Sequence, residues 1–175
     1  AEMYPVPPQA ETQGRTEQYI GSWLAGRGRR DDVILATKVT GPGQMDWIRS
    51  GPRLSTEQVT AAIDTSLQRL QTDYIDLYQV HWPERQTNYF GKLGYTGSAH
   101  LGVPIEETLT ALDRARQAGK IRHIGISNET PWGVAEYLRL ANTQGLPRVA
   151  SIQNPFNLLN RTFEIGLAEF AEREA

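Results

Sequence analysis

The sequence predicts an α/β protein that forms part of a (β/α)8 barrel. Short apolar strands alternate with amphipathic helices four times along the 175 residues, which favours parallel strands joined by crossover helices. Both an open doubly wound sheet and a closed barrel fit this alternation. No glycine-rich phosphate-binding motif follows any predicted strand, so the doubly wound alternative loses its main support and we predict about four βα units of a barrel.

The first half of the chain contains two helices and two strands. An apolar spacing of three and four residues predicts a helix over 16–26. A β-branched run predicts a strand over 33–39. Ser55 and Gln58 form a capping box at the start of a second helix, which reaches Leu70. The second predicted strand covers 75–80, and His81 ends it.

The second half begins with a long connection over 82–103 that contains Tyr89, Phe90 and Tyr95. Connections of this length are usually functional, and both a substrate lid and a packed loop remain open here. The remaining predicted elements are a helix with Pro104 at its first position, a strand over 121–126, a helix capped by Thr130 and Pro131 that ends near 142, a strand over 149–153, and a helix from Thr162 onward.

Composition excludes several functional classes. The formal net charge of −2 gives no electrostatic footprint for nucleic acid, and no cysteine is present for a thiol nucleophile or a zinc ribbon. The three histidines, at 81, 100 and 123, lack metal-ligand spacing, so no metal site is expected. We find neither a signal peptide nor an apolar run long enough to span a membrane. The expectation is therefore a cytoplasmic protein with neither nucleic acid nor membrane as a partner.

The two ends of the chain predict a partial domain. The sequence begins at Ala1 without an initiator methionine, and it closes at Ala175 inside a predicted helix that has no stop signal. We therefore expect residues 1–175 to be a single domain that is truncated at both ends.

Polar side chains follow the predicted strands at the end where a barrel keeps its active site. Because the carboxyl ends of parallel strands share one edge, we expect these residues to converge, joined by Tyr4 if the chain starts at the exit of an earlier strand. Tyrosine, lysine and histidine without a metal indicate proton transfer to a carbonyl oxygen, since an ammonium group makes a nearby tyrosine a better acid and an imidazole holds the oxygen. The candidates are Tyr4, Lys38, His81, Ser127, Asn128, Gln153 and Asn154.

Several segments resemble successive blocks of the aldo-keto reductases, in the order that the family shows. The likeness is strongest to bacterial NADP(H)-dependent members, in the branch that also includes potassium-channel β subunits. It covers essentially the whole chain. The blocks are Ala-Glu-Met-Tyr at 1–4, Ala-Thr-Lys-Val at 36–39, Asp-Leu-Tyr-Gln-Val-His-Trp-Pro at 76–83, Gly-Lys-Ile-Arg-His-Ile-Gly-Ile-Ser-Asn at 119–128 and Ile-Gln-Asn-Pro-Phe-Asn at 152–157.

The resemblance implies an oxidoreductase that reduces an aldehyde or ketone, a small-molecule carbonyl substrate, with NADP(H). Tyr4 then matches the general acid, Lys38 the lysine that activates it, and His81 the histidine that orients the carbonyl. The residues that match those holding the nicotinamide carboxamide are Ser127, Asn128 and Gln153. Ser127 and Asn128 also suit a second task, the capping of the helix that begins near Thr130.

Two features of the family have no counterpart in this sequence. The family's catalytic aspartate lies two residues before the alanine that corresponds to Ala1, and its adenosine-phosphate loop follows the sixth strand. Two alternatives therefore stay open beside the enzyme: a cofactor-binding regulatory subunit that resembles the channel β subunits, and an inactive fragment. Oligomeric state, NADP-over-NAD preference and physiological substrate are not predicted.

Three tryptophans are also interpreted from their positions. Trp23 and Trp132 lie on predicted helix stripes, and we expect both to pack against the core. Trp82 follows His81 directly, and both a substrate-pocket wall and a packing role remain open for it.

Overall fold

The computed structural model describes residues 1–97 and 102–174, and its centre is a four-stranded parallel sheet. The strand order follows the sequence, β1-β2-β3-β4. A doubly wound sheet reverses its order at a switch point, whereas a barrel adds each strand beside the last. The predicted partial (β/α)8 barrel is therefore confirmed. The strands are β1 (Ala36–Val39), β2 (Ile75–Val80), β3 (Ile121–Ser127) and β4 (Ser151–Gln153).

Helices connect the strands and cover one face of the sheet. They are α1 (Arg15–Arg27), α2 (Thr56–Leu70), α3 (Ile105–Gln117), α4 (Pro131–Gln144) and α5 (Leu167–Arg173), with 3₁₀ turns at Ala10–Thr12 and Thr162–Glu164. Ser55 caps α2 by accepting a hydrogen bond from the Gln58 amide, and Thr130 caps α4 in the same way from Gly133. The Ser55 and Thr130 caps are confirmed. The capping box is not completed, because the Gln58 side chain accepts from the Arg53 amide at 2.7 Å. The predicted capping role of Ser127 and Asn128 is wrong, because their side chains donate to the Gln153 and His81 carbonyls.

The last strand is shorter than the predicted 149–153, and three other predicted boundaries are wrong for a local reason. Pro104 precedes α3 as its N-cap, because its ψ of 145° is extended. Residues 33–35 precede β1, since the Leu35 amide donates to the Asp76 side chain at 2.9 Å instead of to a backbone carbonyl of β2. The final helical region is split, because Gly166 adopts a φ of 88° between the 3₁₀ turn and α5.

Successive side chains of each strand point to opposite faces of the sheet. One face is buried under the helices, and the other carries the candidate site. The helix-facing side chains, such as Val39, Tyr78 and Ile126, are at most 1% exposed and form the main core. The opposite face is ordered in layers by the strand register. One layer pairs Lys38 with Gln79, Gln79 with Gly125, and Gly125 with Ser151; the layer at the carboxyl edge pairs Ser127 with Gln153.

Two tryptophans lie on the surface instead of in the core. Trp23 is 52% exposed and Trp132 is 61% exposed, so the predicted packing role is wrong for both. An arginine guanidinium stacks on each indole instead: Arg27 lies 4.6 Å from the Trp23 ring centroid, and Arg85 lies 4.9 Å from that of Trp132. Amphipathic rings tolerate such partly wet positions when a cation covers one face.

Candidate active site

Tyr4 and His81 lie side by side at the carboxyl end of the sheet. Their ring centroids are 5.8 Å apart and their planes are nearly perpendicular, at 89°. The Tyr4 carbonyl accepts a hydrogen bond from the Gly14 amide at 3.1 Å, which fixes the segment before α1. The His81 amide donates to the Val39 carbonyl at 3.0 Å, which holds the residue just beyond the end of β2. Sequence reasoning placed these two residues together, and the structure does so.

Lys38 belongs to β1 and projects from the same face of the sheet as Gln79, two residues before His81. Burial lowers the pKa of Lys38 below its ordinary value, because a desolvated ammonium loses hydration. Within residues 1–97 and 102–174, no carboxylate lies within 4.0 Å of this ammonium group. Its positive charge is therefore available to neighbouring groups in the site.

His81 is held in the neutral form. Burial, and then the positive charge of Lys38, lower its pKa to about 3. The ring is only 7% exposed, and its buried Nδ1 atom has no hydrogen-bond partner in the described chain. A neutral imidazole offers one N–H donor and one acceptor. His81 can therefore donate a hydrogen bond to a carbonyl oxygen at neutral pH without carrying a charge.

Ser127 and Asn128 lie at the end of β3 and join three strands. The Ser127 hydroxyl donates to the Gln153 carbonyl at 2.7 Å, and the Asn128 amide N–H donates to the same carbonyl at 3.1 Å. The Asn128 side-chain nitrogen donates to the His81 carbonyl at 2.8 Å and to Ser127 Oγ at 3.1 Å. Asn128 adopts a left-handed φ of 53°, a conformation that asparagine tolerates better than most residues.

These bonds leave specific polar atoms for a ligand. Both side-chain N–H groups of Asn128 have partners within the protein, so its Oδ1 atom is the part that can accept a hydrogen bond from outside. The Gln153 side chain is exposed and lies on the open face of β4. The Asn128 Oδ1 atom can accept a hydrogen bond from the NH₂ group of a ligand's primary amide. The Gln153 side chain can donate to the oxygen of that amide.

Asn154 has a structural task that sequence reasoning did not foresee. Its Oδ1 atom accepts from the Glu129 amide at 3.1 Å, and its Nδ2 atom donates to the Glu129 carbonyl at 2.8 Å. The side chain thus binds both backbone groups of one residue. Asn154 positions the loop that follows β3 and is occupied by that contact.

Glu2 is a second contributor that sequence reasoning missed. Its side chain is 1% exposed, accepts from the Thr40 amide at 2.7 Å and pairs with Arg49, whose Nη2 donates to Oε1 at 3.0 Å. These contacts connect the segment that carries Tyr4 to the loop that follows β1. From the sequence alone, a glutamate near a chain end is expected to be solvent-exposed. Only its tertiary contacts with Thr40 and Arg49 show that Glu2 links these two segments.

An aromatic wall borders the site on the side of the loop after β2. Trp82 is 5% exposed, its ring lies 4.8 Å from that of His81, and its Nε1 donates to the Pro42 carbonyl at 2.9 Å. Phe90 packs edge-on to Trp82 at 5.4 Å and to Tyr89 at 5.0 Å. Trp82 therefore both packs and borders the site. Whether the loop acts as a lid stays a prediction, and residues 98–101, which include His100, lie outside the described residues.

Neither a metal-binding cluster nor a membrane-spanning helix is found in the described part of the chain. No group of three or more His, Asp or Glu side chains there is arranged to hold a metal ion. No helix in residues 1–97 and 102–174 has the length and apolar character needed to cross a membrane.

Comparison with known proteins matches this chain to one family over nearly its whole length. The model of the Aldo/keto reductase family matches residues 1–174. Protein tas of Escherichia coli is 56% identical over 178 residues, which cover 99% of this chain and 51% of that protein. The aldo-keto reductase YhdN of Bacillus subtilis is 34% identical over 161 residues, 91% of this chain and 41% of that protein. The chain thus spans about half the length of the curated relatives it matches.

A solved structure agrees with the fold. The thermostable aldo-keto reductase Tm1743, solved with the inhibitor epalrestat, superimposes with a TM-score of 0.67 at 29% sequence identity. The match covers 91% of this chain and 47% of that chain. The four βα units therefore correspond to part of a barrel of this kind.

Proposed function

This chain belongs to the aldo/keto reductase family, and we propose that the protein reduces aldehyde or ketone carbonyls to alcohols with NADP(H). One observation carries the proposal: the Tyr4 ring lies 5.8 Å from the His81 ring, whose imidazole is neutral. A hydroxyl donor and an uncharged imidazole donor thus lie on neighbouring rings at the carboxyl end of the sheet. Such a pair suits the oxygen atom of a carbonyl group.

Tyr4 is the proton donor in this proposal. Its hydroxyl gives a proton to the carbonyl oxygen, and the Lys38 ammonium stabilises the tyrosinate that remains. Because Lys38 is half-buried, its charge is screened less than it would be in water. Its lowered pKa also follows from this burial.

His81 orients the substrate and does not take part as a charged acid. With a pKa of about 3, its ring stays uncharged across the physiological range. An imidazolium here would add a second cation next to Lys38 and repel it. The neutral ring donates one hydrogen bond to the carbonyl oxygen and keeps it within reach of the Tyr4 hydroxyl.

Ser127, Asn128 and Gln153 are the residues that would hold the nicotinamide carboxamide. The fit rests on the free Oδ1 atom of Asn128 and the exposed amide of Gln153, while Ser127 fixes both by its bond to the Gln153 carbonyl. When bound, NADPH supplies the hydride. The choice of NADP(H) is supported by the likeness of the sequence blocks to NADP(H)-dependent members of the family.

The acid assignment is tested by Tyr4→Phe in the full-length protein. Loss of a general acid typically costs about 10²–10⁴-fold, so we expect kcat for an aromatic aldehyde to fall by that range while the Kd for NADP⁺, measured by calorimetry, stays the same. Tyr19→Phe is the matched control, since Tyr19 is 71% exposed on α1 and lies outside the site.

Two results would count against the proposal. Undiminished turnover in Tyr4→Phe would remove Tyr4 from the mechanism. Cofactor binding without measurable turnover in the unmodified protein would favour the alternative of a cofactor-binding regulatory subunit.

A further inference from the structure

We propose that the buried ion pair between Arg85 and Glu129 is a positioning device that sets the affinity for the cofactor. Arg85 belongs to the loop that follows β2, and Glu129 follows Asn128 directly. The pair therefore joins the loop after His81 to the residue assigned to the nicotinamide. The inference rests on the proposed function of Asn128.

The contact between the two side chains is bidentate. Arg85 Nη1 donates to Glu129 Oε2 at 3.0 Å, and Arg85 Nη2 donates both to Glu129 Oε1 and, at 3.0 Å, to Thr130 Oγ1. The two side chains are only 14% and 3% exposed. Planar two-point pairing fixes direction as well as distance, so the loop cannot rotate about this contact without breaking it.

Glu129 is confined on every side. Its Oε1 atom accepts from the Thr130 amide at 2.6 Å, and Asn154 binds its backbone N–H and carbonyl at 3.1 and 2.8 Å. A Cβ atom on Gly133 would come within 2.1 Å of the Glu129 carboxylate. The carboxylate thus occupies space that only a glycine at 133 leaves free.

Confinement of Glu129 acts on Asn128 through the backbone. Asn128 holds a left-handed φ of 53°, which costs free energy unless the surroundings impose it. The Glu129 contacts fix the peptide on one side, and the Gln153 carbonyl, 3.1 Å from the Asn128 amide, fixes it on the other. Without Arg85, the Glu129 carboxylate loses its two-point partner and is held by Thr130 alone. The backbone on this side of Asn128 is then fixed less firmly, and so is the direction of the Asn128 Oδ1 atom.

Stability alone is a poor explanation for this pair. A buried ion pair is often no more stabilising than apolar side chains of the same volume, because both charges lose hydration. The Arg85–Glu129 pair fixes a direction as well as a distance, which apolar side chains would not do. The site therefore gains orientation from Arg85 and Glu129 that a hydrophobic contact would not give.

The test is Arg85→Met in the full-length protein, with NADP⁺ as the probe in calorimetry. One neutral hydrogen bond contributes about 2- to 10-fold to an equilibrium constant, so we expect the Kd for NADP⁺ to rise by up to about tenfold. We also expect kcat to fall at saturating cofactor, with a smaller change in KM for the aldehyde. Arg85→Lys keeps the charge and one contact, so it should recover part of the affinity.

Arg139→Met is the matched control. Arg139 pairs with Glu136 on the same helix, α4, but its side chain is 54% exposed, and its removal should leave the Kd unchanged. If Arg85→Met does not fold, Glu129→Gln provides the same measurement, because glutamine keeps the shape and one acceptor while losing the charge.

Asn128→Ala, measured in parallel, separates the two hypotheses. If Asn128→Ala weakens NADP⁺ binding but Arg85→Met and Glu129→Gln lower only the melting temperature, the positioning role is wrong and the cofactor site stands. If Asn128→Ala leaves the Kd unchanged, the assignment of Asn128 to the cofactor itself is wrong. An equal loss of affinity in Arg139→Met would also overturn the inference, since the effect would then not be specific to the buried pair.

Discussion

The side-chain nitrogen of Asn128 donates a hydrogen bond to the main-chain carbonyl of His81 at 2.8 Å. This single contact connects the end of β3 to the end of β2, the two strands that supply the candidate cofactor and substrate residues. It also decides which atom of the Asn128 amide faces outward. One donor atom therefore joins the two parts of the candidate site directly.

Asn128→Asp tests that donor. Aspartate has nearly the same shape and tolerates a left-handed φ, but its ionised carboxylate cannot donate to the His81 carbonyl. Loss of a buried partner costs about 1–3 kcal/mol, so we expect the free energy of unfolding to fall by that amount at pH 7 in urea denaturation. Near pH 4 a protonated acid can donate again, and the difference from the unmodified protein should shrink. A difference independent of pH would show that the donor does not matter.

His81 predicts a pH dependence of stability. Its pKa is about 3 in the folded protein and near 6.5 in an unfolded chain. Between pH 3 and pH 6.5, His81 binds a proton in the unfolded state but not in the folded state. The contribution of His81 to stability is therefore fully present above pH 6.5 and is lost as the pH falls toward 3. The slope approaches about 1.4 kcal/mol per pH unit for one proton.

The measurement is urea unfolding between pH 7 and 4 of the unmodified protein and of His81→Asn. The variant should lose less stability on acidification, since asparagine does not titrate. His123→Asn, at an exposed position of β3, is the matched replacement. Equal slopes for the unmodified protein and His81→Asn would contradict the prediction.

Gly125 is required by crowding on the open face of the sheet. A Cβ atom there would lie 2.6 Å from Ser151 Oγ, 2.8 Å from Gln79 Cγ and 3.2 Å from Leu77 Cδ1. Overpacking of this kind costs about 1–3 kcal/mol, which we expect for Gly125→Ala in thermal or urea unfolding. Gly26→Ala is the control, because nothing lies within 4 Å of its added Cβ and it should stabilise α1 slightly. A Gly125→Ala protein as stable as the parent would show that Ser151 and Gln79 can move aside.

Asp76 organises the opposite, amino-terminal end of the sheet. Its carboxylate accepts from Arg30 at 2.7 Å, Arg122 at 2.9 Å and the Leu35 amide at 2.9 Å. Burial would raise the pKa of Asp76, but the Leu35 hydrogen bond and the charges of Arg30 and Arg122 outweigh burial and lower it. The two guanidinium groups also lie 4.1 and 4.0 Å from the centroid of the Tyr74 ring.

Asp76→Asn should therefore destabilise the fold at pH 7 by about 1–3 kcal/mol. Because the pKa is lowered in the folded state, this contribution is present above the pKa of the unfolded aspartate and is lost as the pH falls further. Asp64→Asn breaks the half-exposed pair with Lys120 and should cost less than about 1 kcal/mol. Equal effects of the two substitutions in urea unfolding would contradict the special role of Asp76.

The sequence predicts the helices and strands of this fold well where they depend on residues that are close together in the chain. The capping side chains of Ser55 and Thr130 and the apolar runs of β2 and β3 depend on residues within a few positions of each other. The strand ends then follow, and with them the placement of Lys38, His81 and Ser127 at one edge. The split before α5 was missed because a continuous helical pattern does not show that Gly166 takes a positive φ.

The charged groups that hold the site together could not be predicted in the same way. Glu2 and Arg49 are separated by 47 positions, and Arg85 and Glu129 by 44. A single glutamate or arginine reads as a solvent-facing residue, because burial of its charge is favourable only once the partner is in place. The pairing depends on the assembled loops and is absent from any local window of the sequence.

The burial of Trp82 makes the protein its own optical reporter. Of the four tryptophans, Trp82 is 5% exposed, whereas Trp23, Trp47 and Trp132 are 52%, 42% and 61% exposed. An external quencher such as acrylamide would silence the three exposed indoles and leave the emission of Trp82. Since its ring lies 4.8 Å from that of His81, the remaining fluorescence follows events at the candidate site without any label attached to the protein.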